Sequence, residues 1–91
     1  MIIRYFAFLR DITRVSEQTW NEPAACVGDL LVALSRRYGP NFRRWVLEPD
    51  GQLGQLSIVL VNGRDCRELH GMATPLKPDD IIAIFPPVAG G

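Results

Sequence analysis

Ile81-Ile82-Ala83-Ile84-Phe85-Pro86-Pro87-Val88-Ala89-Gly90-Gly91 carries the reading of the whole chain. Its first five residues are β-branched, small or aromatic and predict a buried strand. Pro86 and Pro87 lack the N–H that a sheet ladder needs, so the strand is expected to stop there and continue in a stiff, polyproline-like path. Beyond Val88 the side chains shrink to a methyl group and then to hydrogen. Six extended residues reach roughly 20 Å, enough to cross a partner's surface and enter a narrow tunnel. Two glycines there let foreign atoms approach the backbone closely, because no Cβ stands in the way. The carboxylate of Gly91 is expected to be the least hindered carbonyl carbon of the molecule. A rigid base with a tapering tip is more than a frayed terminus.

The rest of the chain must supply a small domain to carry this stretch. Ninety-one residues bury about 60–65% of the unfolded chain's surface, which suffices for one core. The composition, 47% hydrophobic and 22% charged, is that of a soluble globular domain. Ten basic residues balance ten acidic ones, so no positive excess exists to hold a phosphate backbone, and nucleic acid is not expected as a partner. Nine of the ten basic residues are arginine; Lys77 is the single lysine. No apolar run approaches the roughly 18 residues of a membrane span, and Met1 opens a strand pattern, not a leader peptide. A cytoplasmic protein without membrane partners is expected.

Periodicity places the elements. Ile2 to Leu9 reads as the first strand, with Ile3, Tyr5, Ala7 and Leu9 on one face and Arg4, Phe6 and Phe8 on the other. Val15 to Trp20 reads as a second strand, antiparallel to the first. Val27, Leu30, Leu31, Leu34 and Tyr38 form one apolar stripe and predict a helix from Val27 to Tyr38, stopped by Gly39-Pro40. Cys26 stands where Ser or Thr would usually cap it. Phe42, Trp45 and Val46 predict a short second helix at the domain's edge. Leu56 to Val61 is almost continuously apolar and predicts a central strand covered on both faces. Asn62-Gly63 is a strong hairpin signal, returning through a polar edge strand from Arg64 to Arg67.

No catalytic constellation can be assembled. There is no nucleophile beside a base and no Gly-rich phosphate loop after a strand; Asp79-Asp80 reads as a solvated turn. Cys26 and Cys66 lie 40 positions apart, and His70 is the single histidine. Metal centres take about three or four closely spaced ligands, so no metal site is expected. Both thiols are expected to be structural, and His70 a solvated loop residue. The one chemical asset is the terminal carboxylate. It is a poor electrophile until adenylation supplies a leaving group, after which a sulfur nucleophile can attack Gly91.

The tail from Phe85 to Gly91, the opening Phe6-Ala7-Phe8-Leu9-Arg10, Val27-Gly28-Asp29-Leu30-Leu31 and Val61-Asn62-Gly63 resemble the ubiquitin-like sulfur carriers of the MoaD/ThiS type. Within that family the resemblance is closest to the small subunit of molybdopterin synthase, through the run Phe-Pro-Pro-Val-x-Gly-Gly. It implies an α+β fold, the β-grasp: a mixed sheet of about five strands on one main helix, with the first and last strands adjacent at its centre. Residues 1–85 would form the domain and 86–91 a flexible sulfur-carrying tail. An E1-like adenylyltransferase would activate Gly91 with ATP and Mg²⁺, with no cofactor bound by the chain itself. A sulfur donor system would then leave a Gly91 thiocarboxylate. Pro86, Pro87, Val88, Ala89 and Gly90 would enter the large synthase subunit. Relatives that modify proteins, or serve thiamine thiazole, cysteine or tungsten-cofactor synthesis, share this architecture. The segment from Gly39 to Gly54 is longer than compact members need. Adjacent first and last strands would put Phe6, Phe8, Ala83 and Phe85 on one open sheet face, a candidate docking surface, with Ile3, Tyr5, Ala7, Ile82 and Ile84 beneath the helix.

Overall fold

A computed structural model describes residues 1–87; Val88, Ala89, Gly90 and Gly91 lie outside the described residues. Five strands form one mixed sheet: β1 (Ile2–Tyr5), β2 (Glu17–Thr19), β3 (Ile58–Val61), β4 (Arg64–Asp65) and β5 (Ile81–Phe85), in the order β2-β1-β5-β3-β4. β5 is central, parallel to β1 on one side and antiparallel to β3 on the other. The helices are α1 (Leu9–Thr13), α2 (Val27–Tyr38) and α3 (Pro40–Val46), with short 3-10 turns at Cys66–Glu68 and Gly71–Ala73. This is the β-grasp.

The core is one layer deep between sheet and helices. Ile3 and Tyr5 of β1 and Ile82 and Ile84 of β5 are buried against Val27, Leu30, Leu31 and Leu34 of α2. Burying a side chain of this size contributes about 1.5–3 kcal/mol, so the stripe accounts for the helix's position. α2 keeps the predicted bounds, and Gly39 at φ 90° makes the stop before Pro40. The Cys26 side chain makes no capping bond; instead the Val27 N–H donates to the Thr74 carbonyl at 3.0 Å, and the neighbouring loop satisfies the helix start.

The first strand is shorter than its alternation suggests. It ends at Tyr5 because Ala7 takes a left-handed conformation (φ 52°) and turns the chain into α1. Ala7 is therefore exposed instead of lying beneath α2, and Leu9 reaches the core from a helix. β2 is likewise trimmed to three residues, and the polar return to Arg64–Asp65. β3 is not covered on both faces: Val59 and Val61 are buried, but Ile58 is 41% exposed. α3 is more than an edge helix, since Phe42 and Val46 are fully buried and Phe42 meets the Tyr5 ring edge-on at 6.3 Å. The hydroxyls of Tyr5 and Tyr38 both donate to the Gln18 side-chain carbonyl, which ties β1, β2 and α2 together.

Candidate functional site

The sheet has one face under the helices and one without them. Pairing sets Arg4 opposite Ala83, Ala83 opposite Leu60 and Phe85 opposite Ile58. Alternation along each strand then puts Phe6, Ala83, Phe85, Ile58, Leu60 and Ile81 on the open face. The Phe6 N–H donates to the Ile84 carbonyl at 3.2 Å, extending the ladder and holding its side chain beside Phe85. The two rings stack with centroids 4.3 Å apart at 13°. Each shields the other, so both are half-buried, not fully exposed, while Ile58, paired with Phe85, is 41% exposed and Ile81, at the far end of β5, is 37% exposed. Together they make an apolar patch on the side of the sheet that the helices leave open.

Phe8 is not part of that patch. With β1 ended and Ala7 turned, Phe8 lies at the start of α1 and meets Trp45 of α3 edge-on, centroids 4.9 Å apart. Phe6, Ala83 and Phe85 come together as the alternation predicts; Phe8 joins a separate aromatic pair.

The strand stops at Phe85, as two prolines require. Pro86 is buried and Pro87 half-buried, so both lie against the domain instead of standing clear of it. Pro87 forms one wall of a groove of about 270 Å³ whose other walls include Trp45, Leu47 and Leu56. The sequence-predicted tail residues Val88, Ala89, Gly90 and Gly91 fall outside the described residues.

Cys66 is fully buried, and burial, with the Asp65 carboxylate beside it, pushes its thiol pKa upward, away from the thiolate that nucleophilic chemistry needs. Cys26 is half-buried, and His70 is exposed ahead of a 3-10 turn. Asp80 is not a solvated turn residue: it is 8% exposed, its Oδ1 accepts from Asn62 Nδ2 at 2.9 Å and its Oδ2 from the Lys77 N–H at 2.8 Å. It locks the β3–β4 hairpin to the start of β5. Among the described residues no three His, Cys, Asp or Glu side chains converge as a metal site would require, and no helix is long and apolar enough to cross a membrane.

Sequence reasoning missed Ile58, Leu60 and Ile81 on the open face, and the Trp45–Leu56 groove. The parity of Ile81 with Ala83 and Phe85 was a usable signal; the pairing with β3 was not, because register is a long-range property.

Comparison with known proteins places this geometry. The sequence pattern of the ThiS family matches residues 3–91. Small archaeal modifier protein 3 of Haloferax volcanii is 38% identical over 90 residues, spanning 98% of this chain and 96% of that protein. The solution structure of small archaeal modifier protein 1 from Methanosarcina acetivorans superimposes with a TM-score of 0.84 at 31% identity, covering 99% of this chain and 94% of that one. A chain in the crystal structure of the Amycolatopsis orientalis BexX/CysO complex does so with a TM-score of 0.80 at 25% identity, covering 99% and 98% respectively. A match over nearly the full length, on a shared β-grasp, settles the relationship: the chain belongs to the ThiS family of ubiquitin-like sulfur carriers and modifiers.

Proposed function

We propose that the chain is a sulfur carrier for molybdopterin synthesis, with Gly91 as the loaded residue. The observation that carries this reading is continuity: β5 contributes Ala83 and Phe85 to the open apolar face and leads directly into Pro86, the first residue of the tail. A partner that grips Phe6 and Phe85 thereby holds the root of the segment it is to receive. The run Phe85-Pro86-Pro87-Val88-Ala89-Gly90-Gly91 supports the molybdopterin branch.

The chemistry proceeds in two displacements. The Gly91 carboxylate attacks the α-phosphate of ATP, bound with Mg²⁺ on an E1-like adenylyltransferase, and pyrophosphate leaves. Sulfide-level sulfur, HS⁻ released by a donor system, then attacks the acyl-adenylate carbonyl and expels AMP, giving the thiocarboxylate with no change of oxidation state. The large subunit of molybdopterin synthase receives the tail and takes the sulfur for the cyclic pterin precursor. The setting is the cytoplasm, where ATP is available. No side chain of the carrier acts as acid or base; its contribution is presentation and orientation.

A second reading, protein modification, is favoured by the 38% identity with small archaeal modifier protein 3. Both readings share the adenylate and part at the nucleophile, sulfur or a lysine amine. Intact mass after incubation with ATP, the adenylyltransferase and a sulfur donor separates them. A gain of about 16 mass units is the oxygen-to-sulfur exchange expected of the carrier, whereas larger covalent adducts mark a modifier. An unchanged mass under conditions in which AMP is released overturns the carrier reading.

Docking has its own expected result. Phe85→Ala removes one ring of the stacked pair, and truncating an interface anchor typically costs on the order of 2 kcal/mol, about thirtyfold in affinity. Titration calorimetry against the large subunit should show that loss with only a modest fall in melting temperature. Unchanged affinity beside a large stability loss would move the docking face elsewhere.

A further inference from the structure

Amines are scarce in this chain. Lys77 is its single lysine, and the other amine is that of Met1. The Met1 amine donates to the Trp20 carbonyl at 3.2 Å, on a half-buried residue. Lys77 is exposed, and among the described residues its ammonium has no salt-bridge partner. Its backbone is nevertheless fixed in a turn. The Lys77 N–H donates to Asp80 Oδ2 at 2.8 Å, and the Lys77 carbonyl accepts from the Asp80 N–H at 3.1 Å. An unengaged amine on an ordered turn has little backbone entropy left to lose when a partner takes hold of it.

Lys77 also rims a cleft of about 490 Å³ walled by Met1, Trp20, Pro23, Ala24, Leu76 and Pro78. The Leu76 N–H donates to the Ala25 carbonyl at 3.0 Å and joins the two sides. Ligand clefts run from about 300 to 1,000 Å³, and these walls are mostly apolar. The chain owns a segment of matching chemistry, Pro87-Val88-Ala89, and two residues later comes the carbonyl that adenylation activates. The same copy falls short of supplying it. Lys77 stands at the Asp80 end of β5, whereas the tail leaves at the Phe85 end. From Asp80 to Pro87 the extended chain covers roughly 20 Å, at about 3.3 Å per residue. The four residues after Pro87 reach roughly 14 Å and would first have to reverse direction.

We propose that Lys77 is an acceptor for the activated Gly91 of a second copy of this chain, whose Val88 and Ala89 lie in the cleft. The inference rests on the adenylated Gly91 of the reading above and concerns its fate when no sulfur arrives. Lys77 Nζ, as the free amine, attacks the Gly91 carbonyl carbon and a C–N bond forms. The C–O bond to AMP breaks, AMP leaves with the electron pair, and the surplus proton of the amine passes to water. Nothing is oxidised or reduced. Donor and acceptor sit at opposite ends of β5, so the contact is head-to-tail and does not close. Each linked pair keeps one free Lys77 and one free Gly91, and longer chains follow.

The test incubates the full chain with ATP, Mg²⁺ and the adenylyltransferase of the same genome, without a sulfur donor, and reads pyrophosphate release and intact mass. The wild type should give a species at twice its own mass less about 18 mass units, the water lost in one amide bond, and then higher multiples. Lys77→Arg keeps the backbone bonds of the turn, so it should melt as the wild type does and release pyrophosphate, yet give no linked species. Ala25→Trp places a large ring on an exposed position of the cleft and should slow linkage about tenfold or more with pyrophosphate release unchanged. Linked species from Lys77→Arg, a single-chain mass lowered by about 18 units through closure within one copy, or wild-type linkage by Ala25→Trp would each overturn the proposal. So would pyrophosphate release by the wild type with no linked species, which leaves the adenylation of Gly91 standing. No pyrophosphate release by the wild type overturns both.

Discussion

A chain lacking Gly91 should fold as the full chain does and accept no sulfur. The core cluster of the described residues runs from Ile3 to Ile84, well before the deleted position, so circular dichroism and melting temperature should match those of the full chain. Deletion leaves a Gly90 carboxylate, but about 3.5 Å short of where the full chain would deliver it. A misplacement of about 1 Å from productive geometry already costs on the order of a hundredfold in rate, so thiocarboxylate formation should fall by at least that factor. Gly90→Val should approach the same loss by a different route, since a branched Cβ would obstruct any channel built around glycine. Molybdopterin formation at wild-type rate by the deletion variant in a reconstituted assay would sink the carrier mechanism.

The largest stability effect is expected from Phe42→Ala. The ring is fully buried beside Tyr5, which it meets edge-on at 6.3 Å, and Tyr38, whose ring is tilted by 37° with its centroid 5.8 Å away. Phe→Ala at such a site costs about 3–5 kcal/mol, through lost transfer energy and the cavity left behind. A domain of this length has about 5–14 kcal/mol in total, so the variant should unfold at far lower urea and sit near the limit of folding at 37 °C. A loss below about 1 kcal/mol would show that the neighbouring rings close the gap.

What the sequence revealed and concealed divides along the range of the interactions. α2 was legible to the residue because its stripe, its Gly39-Pro40 stop and its first-turn acid are all local. The hairpin at Asn62-Gly63 was legible for the same reason, both residues taking positive φ, 51° and 84°. The central β1–β5 pair followed from resemblance to a family; no periodicity encodes which strands meet. The end of β1 was misread because Ala7 carries no glycine to announce a positive φ, and Leu9, Ile12 and Thr13 at helical spacing are too few to outweigh the alternation before them. The apolar run of β3 suggested burial on both sides, yet half of it faces the open side of the sheet. That departure is informative: Ile58 is apolar where folding alone would tolerate a polar residue. Cys26 looked like a defective cap only because its substitute, the Thr74 carbonyl, lies 48 positions away in sequence. Of the candidate site, Phe6, Ala83 and Phe85 were readable as one face, whereas Phe8 was lost to the turn and the Trp45–Leu56 groove depended on a loop held by Arg67.

The position of β5 has a mechanical consequence. Tension on the tail enters the domain through Phe85 along the axis of the central strand, where β1 and β3 bond it from both sides. Ladder bonds run across the strands, so this load acts on them in shear. Several must break together, unlike an edge strand, which can be peeled away one bond at a time. A partner can therefore draw the tail taut and release it while the domain that carries it stays intact.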